Sequence, residues 1–408
     1  MKFYLAGQTN FGNRGCEALI RTVISTLSER FDNSSFFVPA THPEADARQW
    51  PEMAGYRAKF VKANTLPSTI KWWNRAIRLA PWIKPFWEPS YGLSNFAARD
   101  MVDCDAILMM GGDMISLDYG PGSLFIVSGF MDAAARAGYP TMLFAASVSP
   151  FNDPVFERYM VRHLKRYAVI TLRETESLTY LHHLGLDNAV LVADPAFRLE
   201  PEVVELMPPF DQPQAALGFN ISPVIEESWR RAGNTGNLVE ECVAFLSKVL
   251  AETNLNVGLI PHVEPLDGSL FNSDASILEC ILAGLGGPSP RLALVQKGFN
   301  AAQLKYLIGR CRYFMGGRTH ATIAAWSQCL PTVSFAYSTK AYGLNRDLFG
   351  TLDFVLKTPQ IARDSLWRAF QELRERENSI RSLLVERIPE RKRKASLSAD
   401  VLARHLNQ

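Results

Sequence analysis

The chain of 408 residues lacks the signals that would assign it to a membrane, secreted or nucleic-acid-binding class. It contains no run of about 18 uncharged apolar residues, so a transmembrane helix is not expected. Residues 1–7 form an apolar strand that is too short for the core of a signal peptide. The 43 basic and 41 acidic residues leave a formal net charge of +2, which gives no reason to expect nucleic acid as a partner.

Cysteine is scarce, with six residues and no CxxC pair, so neither a zinc site nor a disulfide framework is indicated. Cysteines in helix-like or strand-like apolar contexts are typical of buried free thiols in a reducing compartment. We therefore expect a cytoplasmic protein that uses no metal ion and no cofactor.

The usual nucleotide-binding fingerprints are also missing. Gly7, Gly12 and Gly15 lie five and three residues apart, which differs from the GxGxxG pattern, and no Gly-Lys-Ser/Thr follows them. Asn13 and Arg14 nevertheless place donors just before a predicted helix, where anions bind readily. This segment is either an anion-binding loop or a structural turn between the first strand and the first helix.

Short apolar runs alternate with longer helical patterns along the whole chain, which predicts parallel α/β units. The length favours two domains. We predict two Rossmann-like domains that face a cleft, at residues 1–200 and 215–359, joined by a proline-rich linker at 201–214 and followed by a charged helical tail at 360–408. The predicted strands are 2–6, 35–38, 106–110, 141–145, 169–172, 190–192, 215–220, 256–260, 313–315 and 332–335. The predicted helices include 15–30, 123–137, 154–166, 175–184, 238–252, 274–285, 301–309 and 319–329.

The most informative stretch runs from Gly316 to His320, between a predicted strand and a predicted helix. Gly316 and Gly317 allow close backbone approach, and a helix N-terminus favours anions. Arg318 adds a forked cationic donor, while His320 adds a group that exchanges a proton near neutral pH. The pattern predicts an anion site with an acid/base residue in it.

Two further candidates follow predicted strands of the first half, in the zone where such sheets bind ligands. Asp113 comes after Gly111 and Gly112, and it would orient a sugar hydroxyl or act as a base; the alternative is a turn residue or a helix cap. Arg173 lies where a strand gives way to a helix, and its alternative role is an ion pair with a neighbouring glutamate.

In the second half, Asn220 and His262 each follow a predicted strand, as do Tyr337 and Lys340. Lys340 would supply a second cation near Arg318, unless it is an ordinary exposed lysine. His262 is a candidate for the group that removes a proton from an acceptor, and its alternative is a hydrogen-bonded structural histidine.

Taken in order, these motifs resemble the polysaccharide pyruvyl transferase family over about residues 3–350. The resemblance is carried by Asn10…Gly12-Asn13…Gly15…Glu17-Ala18-Leu19, Gly111-Gly112, Thr171-Leu172-Arg173-Glu174, Asp194-Pro195-Ala196-Phe197, Gly317-Arg318-Thr319-His320-Ala321 and Pro331…Tyr337…Lys340. It implies an architecture similar to GT-B glycosyltransferases. It also implies transfer of a pyruvyl group from phosphoenolpyruvate onto two hydroxyls of a sugar, with formation of a ketal. The implied acceptors are sugars of surface polysaccharides, often as lipid-linked precursors.

The resemblance also suggests roles for the candidate residues. His320 would protonate the methylene carbon, with Arg318 and Asp113 completing the catalytic set. Phosphoenolpyruvate needs several cations and hydrogen-bond donors. We expect the first domain to be the acceptor side and the second domain the donor side, with some acceptor contacts also from the second domain. The phosphoenolpyruvate set is Asn13, Arg14, Arg173, Gly316, Gly317 and Lys340. The acceptor set is Asn220, His262 and Tyr337.

Residues 70–91 hold four of the eight tryptophans, Trp72, Trp73, Trp82 and Trp87, together with four basic residues. Basic and aromatic residues together suit a membrane interface, which favours a peripheral contact with the inner face of the cell membrane. The alternative is an aromatic insertion that packs onto its own domain.

Two other classes of function are alternatives to the pyruvyl transferase hypothesis. A GT-B glycosyltransferase would hold a nucleotide-sugar diphosphate at residues 316–320. It would need an acidic or aromatic group of the second domain for the ribose and base, and Glu264 and Asp267 are the acidic candidates. A non-catalytic binding protein would have little use for so many cationic and ionisable groups at one anion site.

Overall fold

The computed structural model describes residues 1–64, 67–118, 120–213, 215–270, 272–337 and 339–407, the side chain of residue 339 excepted. The chain divides into two compact units. The first comprises Met1–Asn10, Leu19–Pro195 and Arg393–Gln408, and the second comprises Phe11–Ala18 and Ala196–Lys392. This division differs from the predicted linear domains. The segment Phe11–Ala18 belongs to the second unit, as do the predicted linker and the tail as far as Lys392, and only the last residues return to the first.

The first unit is built on a seven-stranded parallel sheet in the order β3-β2-β1-β4-β5-β6-β7. The strands are β1 (Lys2–Ala6), β2 (Ser35–Ala40), β3 (Ala58–Lys62), β4 (Ala106–Ile115), β5 (Thr141–Val148), β6 (Val169–Leu172) and β7 (Ala189–Leu191). The α-helices are α1 (Arg14–Arg30), which begins in the second unit, α2 (Pro43–Gln49), α3 (Ser68–Leu79), α4 (Asn95–Met101), α5 (Gly120–Arg136), α6 (Pro154–Leu164) and α7 (Thr175–His183). Every residue of β5 and β6 is buried, as expected for the centre of a sheet covered by helices on both faces.

The second unit contains a six-stranded parallel sheet in the order β10-β9-β8-β11-β12-β13. Its strands are β8 (Ala216–Asn220), β9 (Asn256–Leu259), β10 (Leu292–Leu294), β11 (Tyr313–Gly316), β12 (Thr332–Ala336) and β13 (Val355–Lys357). Its α-helices are α8 (Pro223–Arg231), α9 (Leu238–Glu252), α10 (Asp274–Gly284), α11 (Ala301–Gly309), α12 (Thr319–Trp326), α13 (Thr339–Phe349), α14 (Arg363–Glu375) and α15 (Glu377–Leu406), which ends in the first unit. The predicted fold class, α/β with two Rossmann-like domains, is confirmed by these two parallel sheets.

Each sheet has one point at which the strand order reverses, and in open α/β sheets ligands bind beyond the carboxyl ends of the strands at that point. In the first unit the reversal lies between β1 and β4, and in the second it lies between β8 and β11. The carboxyl ends of β8 and β11 are Asn220 and Gly316. The fold therefore brings the predicted anion-binding stretch to the expected position in its own sheet.

The proline-rich segment at 201–213 contains no helix or strand, and it lies within the second unit, where Phe210 is buried in a core cluster. The tail forms α14 and α15, whose apolar residues Phe370, Leu373 and Leu384 join the core of the second unit. Within the described part of the chain, no helix has the length and apolar character needed to cross a bilayer.

Candidate functional site

The site in the second unit is organised by Asn220, which is fully buried at the end of β8. Its side-chain amide donates to the carbonyl oxygen of Ile260 at 2.8 Å, and its Oδ1 accepts the backbone N–H of Arg318 at 3.1 Å. The amide therefore ties the ends of β8 and β9 to the loop after β11. These contacts make Asn220 a positioning residue, while its assignment to the acceptor remains a prediction.

Gly316 and Gly317 are required by close packing inside the unit. A Cβ atom on Gly317 would lie 2.4 Å from Cδ1 of Ile225 in α8, and one on Gly316 would lie 2.6 Å from Cε1 of Phe314. The N–H of Gly317 donates to the carbonyl oxygen of Asn220 at 3.3 Å. The glycines thus allow the loop to lie against β8 and α8, and their proposed contact with a ligand is a separate, untested role.

Arg318 forms an ion pair with Asp274, a fully buried residue at the first position of α10. Its Nη2 and Nε lie 2.7 and 3.0 Å from Oδ1 of Asp274, and Nη2 also donates to Oδ1 of Asn272 at 2.8 Å. The other carboxylate oxygen of Asp274 accepts the backbone N–H groups of His262 and Val263 at 3.0 and 3.1 Å. Arg318 and Asp274 together fix the backbone that carries His262.

The segment Phe11–Ala18 pairs with this same backbone. The N–H of Arg14 donates to the carbonyl oxygen of His262 at 3.1 Å, and the N–H of Glu264 donates to that of Gly12 at 2.7 Å. The buried guanidinium of Arg14 lies 3.2 Å from Oε2 of Glu17, which also accepts the N–H of Ala301 at 3.0 Å. The loop before α1 is therefore a part of the second unit's site.

His320 lies directly over the N-terminus of α1. A Cβ atom built on Gly15 would be only 2.3 Å from Nδ1 of His320, so only a glycine leaves room for the imidazole. The N–H of Gly15 donates to Oδ1 of Asn13 at 3.0 Å, which orders the first turn of α1. Because His320 is itself in the first turn of α12, the N-termini of two helices meet at this side chain, an arrangement that favours a bound anion.

His262 is buried in the same cluster, and its pKa lies well below the usual value of 6.5. Burial is the largest cause, followed by the charges of His320, Arg318 and Arg14, all of which disfavour a second proton on the ring. The imidazole of His262 is therefore neutral at neutral pH. The site combines a buried neutral histidine with a second histidine at two helix N-termini.

Lys340 and Tyr337 lie beyond the carboxyl end of the neighbouring strand, β12. The ammonium of Lys340 donates to the hydroxyl of Tyr337 at 3.0 Å and lies 4.8 Å from the centre of its ring. A small cavity lined by Gly317, Thr319 and Ala341 shows that the start of α13 borders the 316–320 loop. Lys340 is buried, which argues against the alternative of an ordinary exposed lysine.

The two remaining candidates, Arg173 and Asp113, belong to the first unit. Arg173 is buried and pairs with Asp194 at 2.6 Å, and its Nε donates to the hydroxyl of Ser147 at 2.8 Å. The expected alternative of an ion pair is thus realised, but with Asp194 instead of a neighbouring glutamate. Asp113 is half-buried within β4, which extends to Ile115 and is longer than predicted.

The first unit also has a cavity of about 240 Å³ at its own strand-order reversal. It is lined by the carboxyl ends of β1 and β4 and by α5, with polar groups from Thr9, Thr41, Asn64 and Tyr91. Asn64 donates to the hydroxyl of Tyr91 at 2.6 Å, which closes one wall. The sequence analysis named none of these residues, because each is an isolated polar residue with no motif around it.

Sequence reasoning also missed Asp274 and the pairing of Glu17 with Arg14. Glu264 and Asp267, named as ribose-binding candidates, have other contacts: Oε1 of Glu264 accepts the N–H of Ala275 at 3.0 Å, and Asp267 accepts that of Ser269 at 2.9 Å.

Among the residues that the structure describes, no group of three or more His, Cys, Asp or Glu side chains is placed to hold a metal ion. The six cysteines all lie in the described ranges, and none of them forms a disulfide bond.

The fold and the site define a two-sheet α/β protein with an ionisable, anion-favouring site in its second unit. Residues 13–339 match the sequence model of the family described as polysaccharide pyruvyl transferase. The chain belongs to the polysaccharide pyruvyl transferase family, as its motifs predicted. It is 23% identical over 370 residues, 85% of this chain and 86% of the relative, to the amylovoran biosynthesis protein AmsJ of Erwinia amylovora.

Solved structures with the same fold are distant in sequence. A UDP complex of MnaA from S. aureus has a TM-score of 0.61 at 14% identity and covers 100% of this chain and 96% of its own. The UDP-GlcNAc 2-epimerase from Neisseria meningitidis, bound to UDP-GlcNAc, has a TM-score of 0.61 at 13% identity and covers 99% and 100%. These similarities place the chain among GT-B-like folds.

Proposed function

We propose that the protein transfers a pyruvyl group from phosphoenolpyruvate to a sugar of a surface polysaccharide or its lipid-linked precursor, forming a pyruvate ketal. The observation that carries this proposal is the cluster of His320, His262, Arg14 and Arg318 at the strand-order reversal of the second sheet, in a chain of this family. The donor is anionic, and the site offers positive charge together with two histidines.

The negative charges of the donor's carboxylate and phosphate must be compensated by positive charge at the site. The N-termini of α1 and α12 supply positive partial charge, and the cations of Arg14 and Arg318 lie close enough to lower the pKa of His262. Each of these arginines also pairs with a buried carboxylate, which holds it in a fixed position before the donor arrives. Lys340, and Arg173 of the first unit, remain proposed donor ligands.

The proton transfers follow from the different environments of the two histidines. His320 gives a proton to the methylene carbon of phosphoenolpyruvate, which becomes the methyl group, while an acceptor oxygen bonds to the adjacent carbon. That carbon then loses phosphate with its bridging oxygen, and a second hydroxyl closes the ketal. Two hydroxyl protons are released, of which one replaces the proton given to carbon and the other leaves on phosphate. His262 and Asp113 are the proposed bases for these protons; His262 is neutral, but its burial and the neighbouring charges make it a weaker base than an ordinary histidine.

A binding site for the acceptor sugar is proposed in the first unit. The cavity of about 240 Å³ in the first unit has the mixed lining of hydroxyl, amide and apolar groups that sugars bind, in agreement with an acceptor side there. Asn220 and His262 are enclosed by protein, so of the proposed acceptor set Tyr337 is the partly exposed member. No nucleic acid, metal or cofactor enters the proposed reaction, and a cytoplasmic location would supply the donor.

Ligand-induced thermal stabilisation tests the donor. A rise in Tm with phosphoenolpyruvate that exceeds the rise with UDP- or GDP-sugars supports the proposal, because a ligand that binds only the folded state stabilises it by mass action. Stabilisation by a nucleotide sugar alone contradicts it. A panel of lipid-linked and nitrophenyl sugars, assayed with phosphoenolpyruvate for phosphate release, then identifies the acceptor.

The second candidate function is a glycosyltransferase with a nucleotide-sugar donor. It is favoured by the similar fold of the UDP complex of MnaA, at a TM-score of 0.61. Against it, the second-unit acids proposed for the ribose already have partners, since Glu264 binds the first turn of α10 and Asp267 binds its own turn. The thermal comparison above decides between the two donors.

A further inference from the structure

The first unit exposes an unusual concentration of large apolar side chains between residues 72 and 87. Trp72, Leu79, Trp82 and Phe86 have 65%, 88%, 73% and 85% of their surface exposed. Exposed apolar surface of this density marks an interaction site far more often than an ordinary surface does. We define these four residues as the apolar patch.

Helix α3 presents two opposite apolar faces. Ile70, Trp73 and Ile77 are buried and fix the helix to the unit, whereas Trp72 and Leu79, seven residues apart, lie on the opposite face. Helical spacing therefore points this second stripe away from the core. An amphipathic helix needs only one apolar face to pack onto its own protein, so the outer stripe requires another explanation.

The segment that carries the apolar patch is fixed to the first unit by buried contacts and an ion pair. The ring of Trp73 is fully buried at 4.8 Å from that of Phe125, and its indole N–H donates to the carbonyl oxygen of Trp87 at 2.8 Å. In the turn after α3, Lys84 forms an ion pair with Asp153 at 2.6 Å. The exposed rings thus project from a segment whose backbone is fixed on both sides.

The basic side chains beside the apolar patch indicate the kind of surface that it binds. Residues 67–87 contain Lys71, Arg75, Arg78 and Lys84 and no acidic residue. The first three are exposed at helical spacing beside the Trp72–Leu79 stripe, and the guanidinium of Arg75 lies 5.5 Å from the ring of Trp72. Tryptophan, leucine and phenylalanine next to a basic row are typical of helices that lie in the interface of an anionic bilayer.

We propose that α3 and the following turn dock the first unit onto the surface of an anionic lipid bilayer. The apolar patch enters the boundary between headgroups and acyl chains, and Lys71, Arg75 and Arg78 contact the headgroups. The inference goes beyond the transfer reaction, because bilayer binding is measurable without donor or acceptor. It also gives a lipid-linked acceptor a route to the protein, since the cavity-lining residues Asn64 and Tyr91 flank this segment on both sides.

Vesicle flotation of the full chain tests the proposal, with phosphatidylcholine vesicles that contain or lack phosphatidylglycerol. The wild-type protein should float with the anionic vesicles and much less with the neutral ones. The quadruple variant Trp72→Ser/Leu79→Ser/Trp82→Ser/Phe86→Ser should not float. The variant Lys71→Gln/Arg75→Gln/Arg78→Gln should bind about fivefold more weakly for each basic residue removed.

A matched control is Val203→Ser/Val385→Ser, which removes apolar side chains that are 74% and 62% exposed elsewhere. It should float like the wild type. Equal Tm values for all variants exclude unfolding as the cause, and a blue shift of tryptophan fluorescence on vesicle addition, lost in Trp72→Phe/Trp82→Phe, provides a second readout. The proposal is overturned if the wild-type protein fails to float, or if gel filtration shows a dimer that only the quadruple variant disrupts, since the patch would then join two copies.

Discussion

The imidazole of His320 lies directly against the backbone of Gly15, so that a Cβ atom at Gly15 would fall 2.3 Å from Nδ1. One residue comes from the first turn of α1 and the other from the first turn of α12, about 300 positions later in the chain. This contact joins the two motifs that the family resemblance had treated as separate. It also yields the sharpest structural test of the site.

Gly15→Ala should displace His320 and reduce turnover by at least about tenfold, since misplacement of a catalytic group by 1 Å can cost far more. Alanine is a good helix former, so the thermal stability should change little. Gly92→Ala is the matched control, because a Cβ atom there meets nothing within 4 Å. Wild-type phosphate release by Gly15→Ala would show that the position of His320 is not important.

Arg318→Ala and Asp274→Asn should each lower the free energy of unfolding by about 3–5 kcal/mol, because each leaves a buried charge without its partner. The two effects should not add. A double-mutant cycle by urea denaturation is expected to give a coupling of about 0.5–3 kcal/mol. Additive losses of unfolding free energy would contradict the ion pair. If the Arg318→Ala protein is folded, weaker donor binding measured by calorimetry would support the predicted role of Arg318 as a donor ligand.

The lowered pKa of His262 predicts a loss of stability in acid. Below the unfolded-state value of about 6.5 the unfolded chain binds a proton that the folded protein does not, so stability falls as the pH drops through that range. Urea denaturation on both sides of pH 6.5 should show this loss in the wild type and a smaller one in His262→Gln. His183→Gln, an exposed helix position, is the control, and identical pH dependence of all three proteins would contradict the burial argument.

Lys305 is a buried lysine on α11, and burial, together with the charge of Lys392, lowers its pKa to about 7. Between about pH 7 and the ordinary value of 10.5 the unfolded state binds the extra proton, so this residue makes the protein more stable as the pH rises. Lys305→Met should raise the free energy of unfolding at pH 7 by about 1–3 kcal/mol. Lys392→Met, at a partly exposed position, should have a smaller effect. A less stable Lys305→Met protein would show that the ammonium has a favourable role.

Helices and strands were predictable from the sequence where the apolar pattern of a segment and its capping residues indicated the same element. Helix α9 begins and ends as predicted, because Asn237 caps a clear apolar pattern and Thr253 ends it. Strands β10 and β13, of three residues each, were not predicted, although the equally short β7 was, and β3 was missed because Lys59 and Lys62 interrupt its apolar pattern. Short strands at a sheet edge are defined by the partner strand more than by their own sequence.

The site was predictable as a set of positions but not as a set of contacts. The sequence placed Arg318 correctly between a strand and a helix, but its partner Asp274 lies 44 residues away and has no motif of its own. The sequence likewise offered a neighbouring glutamate as the alternative partner of Arg173, predicted as a donor ligand, whereas the fold brings Asp194 to it. Long-range pairing of buried charges depends on strand order, which single residues do not encode.

His320 is proposed to transfer a proton to phosphoenolpyruvate in a reaction that builds a ketal. The decisive experiment is incubation of the protein with carbon-13-labelled phosphoenolpyruvate and an identified sugar acceptor, followed by NMR of the product. We expect a labelled methyl group and ketal carbon on the sugar, equimolar with released phosphate. Turnover should be about 10²–10⁴-fold lower in His320→Ala, with donor binding retained, and the exposed His182→Ala should be unaffected. Labelled ketal formed at the wild-type rate by His320→Ala, or none formed by the wild-type protein with any acceptor, would contradict this function of His320.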